Sequence, residues 1–321
     1  MPTRLNATLA RWDCLTARRA DVSDQAAAAY PVPPPPEAVR LPRWRRDAVC
    51  AGQVLGELAQ LGRWRSRTPG RSLTQYEARW AAQSAQRQWP GTDLATAVTL
   101  SSYGSGLLHA LIDFVPYTVP APAFFRWRAA KIGRIFGTHY VPSTPIAEIG
   151  CGFGKNLLAL AYAGFTDLAG FDPTESAVRA LTQEAAYFHQ SWLIGQCNLL
   201  DPDPAVLKRL SGRVLFTNHV IEQLPRHVPQ ALDWLRRAAP AEVVHLEPCA
   251  ELLRPTRDLA DLAGWLHLIS ADYQRSLLSC LRRLAADGQV ELLEVRALGY
   301  SPRLTHTPAL LRWRPARARR T

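Results

Sequence analysis

The feature that most constrains the fold of this chain is a glycine-rich turn between a short apolar run and a second apolar stretch. Residues 146–149 are apolar except for Glu148, and three alternating glycines follow them: Gly150, Gly152 and Gly154. This pattern predicts a buried strand, a tight turn and a helix that starts near Asn156, with the helix N-terminus directed at the turn. Such a turn can bind a small molecule, although the same pattern also occurs in turns that are structural only.

The spacing of the glycines argues against two common ligand types. A dinucleotide-binding G-x-G-x-x-G motif needs its third glycine where Lys155 stands. A phosphate-binding P-loop needs a glycine at position 149 and a Ser or Thr at position 156, where the chain has Ile149 and Asn156. Nicotinamide and flavin cofactors are therefore disfavoured, and the P-loop is excluded.

A second signal follows roughly 20 residues later, where Leu168–Asp172 reads as a short strand that ends in an acid. An acid at this place is suited to accept hydrogen bonds from two neighbouring ribose hydroxyls. The alternative is that Asp172, together with Thr174 and Glu175, begins the next helix. The two interpretations are compatible.

Together, the Glu-x-Gly-x-Gly-x-Gly turn and the following acid resemble the first motifs of class I methyltransferases that use S-adenosylmethionine. The resemblance implies S-adenosylmethionine as the cofactor. It places Glu148 near the ammonium group of the cofactor and Asp172 on its ribose. It also places the turn glycines along the amino acid and ribose parts of the cofactor: Gly150, Gly152 and Gly154.

Two further segments extend the resemblance, which then covers about residues 145–248. Asn198 stands where this family often has an acid that accepts from the adenine amino group, and the backbone at Leu199 would meet the adenine ring. Residues 214–225 resemble the fourth strand and the turn after it, which adds Asn218 to the cofactor contacts. The family often has a histidine where this chain has Gln223, so His219 is the imidazole nearest the expected methyl group.

The predicted catalytic residues are His219 and Glu222. Methyl transfer is an in-line displacement that depends mainly on positioning, and a hydroxyl acceptor additionally needs a base. His219 suits that task near neutral pH, with His245 and Glu247 ranked below Glu222, although His219 could also merely line the pocket. No metal is predicted, because the Asp-x-x-Asn-Asp pattern of metal-dependent O-methyltransferases is absent.

The predicted fold is α/β, with a doubly wound, mostly parallel seven-stranded sheet in a Rossmann-like domain over residues 141–314. A fifth strand is predicted over 241–248 and two closing antiparallel strands over 290–295 and 309–313, with a helical insert at about 256–286. The flanking segments are predicted as a basic arm with a proline-rich spacer (1–40), a helical cap or lid (41–140) and a basic tail (315–321).

Charge and composition limit the partners. The net charge of +11 lies in the flanks, because residues 1–90 carry +7, residues 303–321 carry +6 and the remainder carries −2. A nearly neutral catalytic region argues against a nucleic-acid substrate. No signal peptide and no membrane span is recognisable, so a cytoplasmic location is expected.

The sequence therefore predicts a methyltransferase that acts on O or N of a small-molecule acceptor, in a bacterial biosynthetic pathway suggested by the arginine-rich composition. Two rivals remain open. One is an RNA or protein methyltransferase that uses the basic flanks. The other is a non-catalytic cofactor-binding partner protein, suggested by Asn198 and Gln223. The oligomeric state is left open.

Overall fold

A computed structural model describes residues 30–61, 67–86, 92–100 and 104–316. Its central element is a seven-stranded sheet, and a three-stranded sheet lies beside it. The strands are, in chain order, β1 (Val39–Arg40), β2 (Leu107–Ile112), β3 (Val115–Pro120), β4 (Ile146–Ile149), β5 (Leu168–Asp172), β6 (Leu193–Gln196), β7 (Val214–Asn218), β8 (Glu242–Pro248), β9 (Val290–Ala297) and β10 (Pro308–Pro315).

The large sheet has the strand order β6-β5-β4-β7-β8-β10-β9. The five strands from β6 to β8 are parallel to their neighbours, and β10 runs antiparallel to both β8 and β9. This arrangement confirms the predicted mostly parallel sheet and its closing antiparallel pair. The chain order reverses between β4 and β7, and ligands of open α/β sheets bind in the crevice at such a point.

Ten α-helices surround the sheets in the described residues. They are α1 (Arg43–Leu61), α2 (Pro69–Gln86), α3 (Leu94–Ala97), α4 (Ala121–His139), α5 (Lys155–Tyr162), α6 (Glu175–Tyr187), α7 (Pro204–Leu210), α8 (Val228–Arg237), α9 (Leu259–Ser270) and α10 (Leu277–Ala286). None of the helices in these residue ranges is long and apolar enough to cross a membrane.

The strands bury alternate residues on the two faces of the large sheet, as the pleat requires. On β4, Ile146 belongs to the core shared with α4 and α5, whereas Ala147 and Ile149 belong to the core shared with α8 and α10. Glu148, two residues from Ile146, therefore faces the layer of α4 and α5. Its side chain is buried on that face.

Residues 41–140 contain the helices α1, α2, α3 and α4, as predicted, but residues 107–120 are not helical, and the role of this region as a cap stays a prediction. Residues 107–120 form the hairpin β2–β3, and β1 adds to it through β3. Asp113 and Phe114 both have positive φ, at 48° and 66°, which is the backbone of a tight hairpin turn. Phe114 and Tyr117 belong to an aromatic run that continues into α4, so the sequence pattern indicated a helix instead of two strands. The predicted arm over residues 1–29 and the tail over 317–321 lie outside the described residues.

The predicted helical insert after β8 consists of α9 and α10, and α9 ties the sheet domain to the cap. Its His267 lies 3.0 Å, Nδ1 to Oε1, from Glu57 of α1, and Ser270 also donates to the Glu57 carboxylate. The insert therefore carries side chains to the same side of the sheet as the cap.

Candidate functional site

A cavity of about 720 Å³ lies at the carboxyl ends of β4, β5 and β7. Helix α2 and the α9 insert close it on the side away from the sheet, through residues such as Trp80 and Tyr273. Nine of the ten residues predicted from the sequence line this cavity: Glu148, Gly150, Gly152, Asp172, Asn198, Leu199, Asn218, His219 and Glu222. Gly154 does not line it.

The three glycines of the turn all have positive φ, at 74°, 51° and 72°, so a side chain at any of them would strain the backbone. A Cβ at Gly150 would lie 2.4 Å from Val220 Cγ2, and a Cβ at Gly154 would lie 2.3 Å from Leu181 Cδ1. Gly154 precedes α5 and allows Leu181 to pack closely. Gly154 therefore has a packing role outside the cavity lining, and its cofactor contact stays a prediction, whereas Gly150 and Gly152 border the cavity.

Glu148 is buried, and only one of its two carboxylate oxygens has a hydrogen-bond partner among the described residues. Its Oε1 accepts a hydrogen bond of 2.5 Å from Asn156 Nδ2, and its Oε2 is buried with no hydrogen-bond partner among the described residues. Burial raises the pKa of this carboxyl to about 8, although the Asn156 amide and the Arg128 guanidinium act in the opposite direction. An orphan carboxylate oxygen in a dry site is costly unless a ligand, such as a cation, pairs with it.

Arg128 of α4 extends this polar cluster, and no local signal in the sequence marks it. Its Nη2 donates to Asn156 Oδ1 at 2.8 Å. When the Asn218 amide nitrogen donates to the Leu246 carbonyl at 3.1 Å, the Asn218 oxygen accepts from Arg128 Nη2 at 2.7 Å and from Asn156 Nδ2 at 2.9 Å. A guanidinium is therefore held beside the glycine turn, close to the orphan oxygen of Glu148.

Asp172 ends β5 and links the glycine turn to the next helix. Its Oδ2 accepts from the Gly152 N–H at 2.8 Å, and its Oδ1 accepts from the Thr174 N–H at 3.0 Å and from Thr174 Oγ1 at 2.5 Å. Burial raises the pKa of this carboxyl, and these hydrogen bonds oppose the rise. Asp172 thus orders the turn at the start of α6 and also borders the cavity.

Asn198 and Leu199 border the cavity beyond Asp172. The Asn198 side chain is exposed, and its Oδ1 accepts from the Leu200 N–H at 3.0 Å. Leu199 is buried. At this side of the cavity, the polar Asn198 therefore lies next to the apolar Leu199.

The cavity lining also contains the predicted catalytic pair and His306, a histidine that the sequence analysis did not identify. Glu222 Oε2 lies 3.1 Å from His219 Nδ1 and 3.0 Å from His306 Nε2. Burial alone would raise the pKa of Glu222, but the two imidazoles bring it well below its usual range. Burial alone would lower the pKa of His219, but Glu222 raises it.

Glu247 and His245, the lower-ranked candidates, lie outside the cavity lining. Glu247 is buried and accepts hydrogen bonds from the backbone N–H groups of Val220, Ile221 and Glu222, at 2.8, 3.1 and 3.3 Å. It therefore holds the short 3-10 turn Ile221–Gln223 in place.

His245 is a structural residue of the core. Trp313 Nε1 donates to His245 Nε2 at 3.0 Å, so His245 Nδ1 carries the proton and donates to Thr217 Oγ1 at 2.8 Å. Burial lowers the pKa of this imidazole to about 3, which keeps it neutral.

Helix α2 covers the glycine turn. The Trp80 ring lies 4.8 Å from the Phe153 ring, and Trp80 Cζ2 would be 3.0 Å from a Cβ at Gly152. Glu77 fixes the same helix to the start of α6, because its carboxylate accepts from the Ser176 N–H at 3.1 Å. Helix α2, which the sequence shows only as part of an aromatic helical pattern, therefore lies where the predicted lid would be.

Comparison with known proteins gives likeness at the level of structure only. No protein-family model and no curated protein matches the sequence. Three similar solved structures have 11–16% sequence identity to this chain. Magnesium protoporphyrin IX methyltransferase from Synechocystis PCC 6803 with bound SAH has a TM-score of 0.41 and 16% identity, over 57% of this chain and 79% of that one.

Geranyl diphosphate C-methyltransferase from Streptomyces coelicolor A3(2) has a TM-score of 0.42 and 11% identity, over 60% of this chain and 81% of that one. A protein described as a zinc-dependent alcohol dehydrogenase from Rhodobacter sphaeroides has a TM-score of 0.43 and 15% identity, over 59% of this chain and 90% of that one. The strand order and the antiparallel β10 of this chain agree with the mostly parallel seven-stranded sheet predicted from the sequence.

Proposed function

We propose that this protein transfers a methyl group from S-adenosylmethionine to an O or N atom of a small molecule, in a biosynthetic pathway. The observation that carries the proposal is the buried, unpartnered Oε2 of Glu148 at the glycine turn, where the strand order reverses. A buried carboxylate with one unused oxygen is a site for an ammonium group.

Residues around the glycine turn fit the remaining parts of this cofactor. Arg128 is placed to pair with the carboxylate of its methionine portion, beside the ammonium group at Glu148. Asp172 Oδ2 keeps one lone pair that can accept from a ribose hydroxyl while it holds Gly152. Asn198 and Leu199 border the place of the adenine ring.

The size of the cavity supports a second, small ligand. Its volume of about 720 Å³ lies in the range of about 300–1,000 Å³ that is typical of small-molecule pockets. In this proposal the acceptor binds on the side of His219, Glu222 and Tyr273. Transfer breaks the sulfonium C–S bond and forms a bond from the methyl carbon to the acceptor atom, so alignment of the two ligands supplies much of the rate.

Calorimetry with S-adenosylhomocysteine tests the cofactor assignment. We expect binding to the wild type with one site per chain and at least about tenfold weaker binding to Asp172→Ala, because the variant loses a ribose hydrogen bond and the hydrogen bond that holds Gly152. Asp201→Ala is the matched control, since Asp201 is exposed and outside the cavity lining. A wild type that does not bind, or an Asp172→Ala variant that binds equally well, would overturn the assignment.

The two rival functions are separated by following the label from methyl-labelled S-adenosylmethionine in a fractionated cell extract. The proposal predicts label in small molecules. Label in RNA or protein, with substrate binding that weakens steeply as salt is added, would favour a macromolecular substrate reached by the basic flanks. Cofactor binding without any labelled product would favour a non-catalytic partner protein.

A further inference from the structure

We propose that His219, Glu222 and His306 bind a divalent transition-metal ion on the acceptor side of the cavity. The chemical role of the ion rests on the proposed function, whereas its binding does not. The proposal differs from the expectation drawn from the sequence, where the missing Asp-x-x-Asn-Asp pattern argued against a metal.

The geometry of the three side chains carries the proposal. One ligand atom from each of them lies within 4.8 Å of the other two. The distances from Glu222 Oε2 to the two imidazole nitrogens are 3.1 and 3.0 Å. Neighbouring ligands of an ion with bonds of about 2.1 Å are roughly 3.0–3.4 Å apart, so each Glu222–histidine pair already has the spacing of adjacent ligands, while the third pair is bounded by the 4.8 Å limit.

The ligand types also agree with such an ion. Two imidazoles and one carboxylate on one side of an ion leave positions open for substrate or water, and this set suits Zn²⁺, Co²⁺, Mn²⁺ or Fe²⁺. The three residues come from separate places in the fold: the end of β7, the turn Ile221–Gln223 and the loop between β9 and β10. His219 and His306 both have left-handed backbone, with φ of 58° and 65°. Such backbone in non-glycine residues is uncommon and clusters at functional sites.

The groups around the three side chains hold them in position. Glu247 accepts from the backbone N–H groups of the turn that carries Glu222. His267 of α9 packs edge-on against His306, with ring centroids 4.8 Å apart, and Glu57 of α1 fixes the His267 ring at 3.0 Å. Glu57 therefore orients a ring that packs on His306 and that is not itself one of the three proposed ligands.

An ion at this place would activate an oxygen acceptor. A hydroxyl that binds the ion has a lowered pKa and loses its proton to water, and the resulting alkoxide attacks the methyl carbon. The C–O bond forms as the C–S bond of the sulfonium breaks, and S-adenosylhomocysteine leaves as a neutral thioether. The substrate class is therefore a small molecule with a hydroxyl that is accessible to a metal, and methylation at O is favoured over N.

The test is a titration of the tag-free full-length protein with Co²⁺, after a chelator has removed bound metal. We expect uptake of one Co²⁺ per chain with visible absorption typical of coordinated cobalt, and displacement by Zn²⁺. His306→Ala and Glu222→Gln should each bind Co²⁺ at least about tenfold more weakly. His189→Ala is the control, because His189 is exposed and its imidazole should not contribute. If His306→Ala fails to fold by circular dichroism, His306→Asn replaces it.

Absence of stoichiometric uptake by the wild type, or equal uptake by both site variants, would show that the three side chains form only a hydrogen-bonded group. Affinity for S-adenosylhomocysteine, measured in the same samples, separates this result from failure of the proposed function. If S-adenosylhomocysteine binds but Co²⁺ does not, only the metal site is wrong. If Co²⁺ binds but S-adenosylhomocysteine does not, the cofactor assignment is wrong and the metal site stands.

Discussion

The two walls of the cavity are built in different ways. The wall at the glycine turn comes largely from one continuous β-α-β unit, between β4 and β5, with Glu148 and Asp172 near the two strand ends, and Arg128 of α4 joins it. The wall at His219 is made of side chains from several elements that are distant in sequence, and His306 comes from the loop between β9 and β10. The proposed function assigns cofactor binding to the first wall and acceptor activation to the second, and we expect substitutions in one wall to leave the function of the other largely intact.

The largest effect is expected from the His219 wall. His219→Ala and His306→Ala should lower the rate of methyl transfer by about 10²–10⁴-fold, because the acceptor loses its activating groups. The affinity for S-adenosylhomocysteine should stay within roughly twofold of wild type, since a twofold change is under about 0.5 kcal/mol. Single-turnover kinetics and calorimetry on the same preparations measure the two quantities. Equal losses of both would show that the walls are not separable.

For Gly150→Ala we expect a loss of affinity for S-adenosylhomocysteine, which the His219 variants should retain. The substitution places a Cβ 2.4 Å from Val220 Cγ2 at a φ of 74°, so the turn must shift. Affinity for S-adenosylhomocysteine should fall by about 100-fold, equivalent to about 2.7 kcal/mol. Gly137→Ala is the control, because Gly137 lies in α4 and a Cβ added there would have no neighbouring atom within 4 Å. Unchanged affinity in Gly150→Ala would mean that the ligand does not approach the turn.

The third prediction concerns pH and the Glu148 carboxyl. Its pKa of about 8 lies above the usual value because of burial, and the nearby charged groups are Arg128, which lowers the pKa, and Asp172, which raises it. A cofactor ammonium needs the carboxylate, so binding must release the proton below pH 8. Affinity for S-adenosylhomocysteine should then rise by up to about tenfold per pH unit between about pH 6 and 8.

Calorimetry in two buffers with different ionisation enthalpies counts the released proton. Glu148→Gln should bind more weakly and lose this pH dependence; if it retains the dependence, another group is responsible. In the protein without ligand, the raised pKa stabilises the fold most below the unfolded value, near 4.5, and this contribution disappears as pH rises through 8. The stability of Glu148→Gln relative to wild type should therefore increase with pH.

The smallest effect is expected at the lid. Trp80→Ala removes the ring that packs on Phe153 and covers Gly152, and should weaken S-adenosylhomocysteine binding by roughly 3–10-fold, mainly through faster dissociation. Trp44→Ala is the matched control, since Trp44 is 73% exposed. Stopped-flow dissociation rates measure the change, and an unaltered rate would show that α2 does not retain the ligand.

The same contrast explains what the sequence predicts and what it does not. The turn, Glu148 and Asp172 lie within one β-α-β unit, where glycine spacing and strand ends are local signals, so their convergence on one cavity was predictable. His306 and Arg128 reach the cavity through tertiary packing, and nothing in their local sequence marks them. The packing of Gly154 against Leu181 was not predictable, because spacing alone does not distinguish a glycine beside a ligand from a glycine beside a core side chain. The hairpin at 107–120 was missed because aromatic residues suit helices and strands alike.

A crystal structure of the protein with S-adenosylhomocysteine tests the central claim most directly. The account predicts the ligand along the glycine turn, with its ammonium group within hydrogen-bond distance of Glu148 Oε2, its ribose on Asp172 and its sulfur facing the wall of His219, Glu222 and His306. A ligand bound elsewhere, or one that leaves Glu148 Oε2 without a partner, would contradict it.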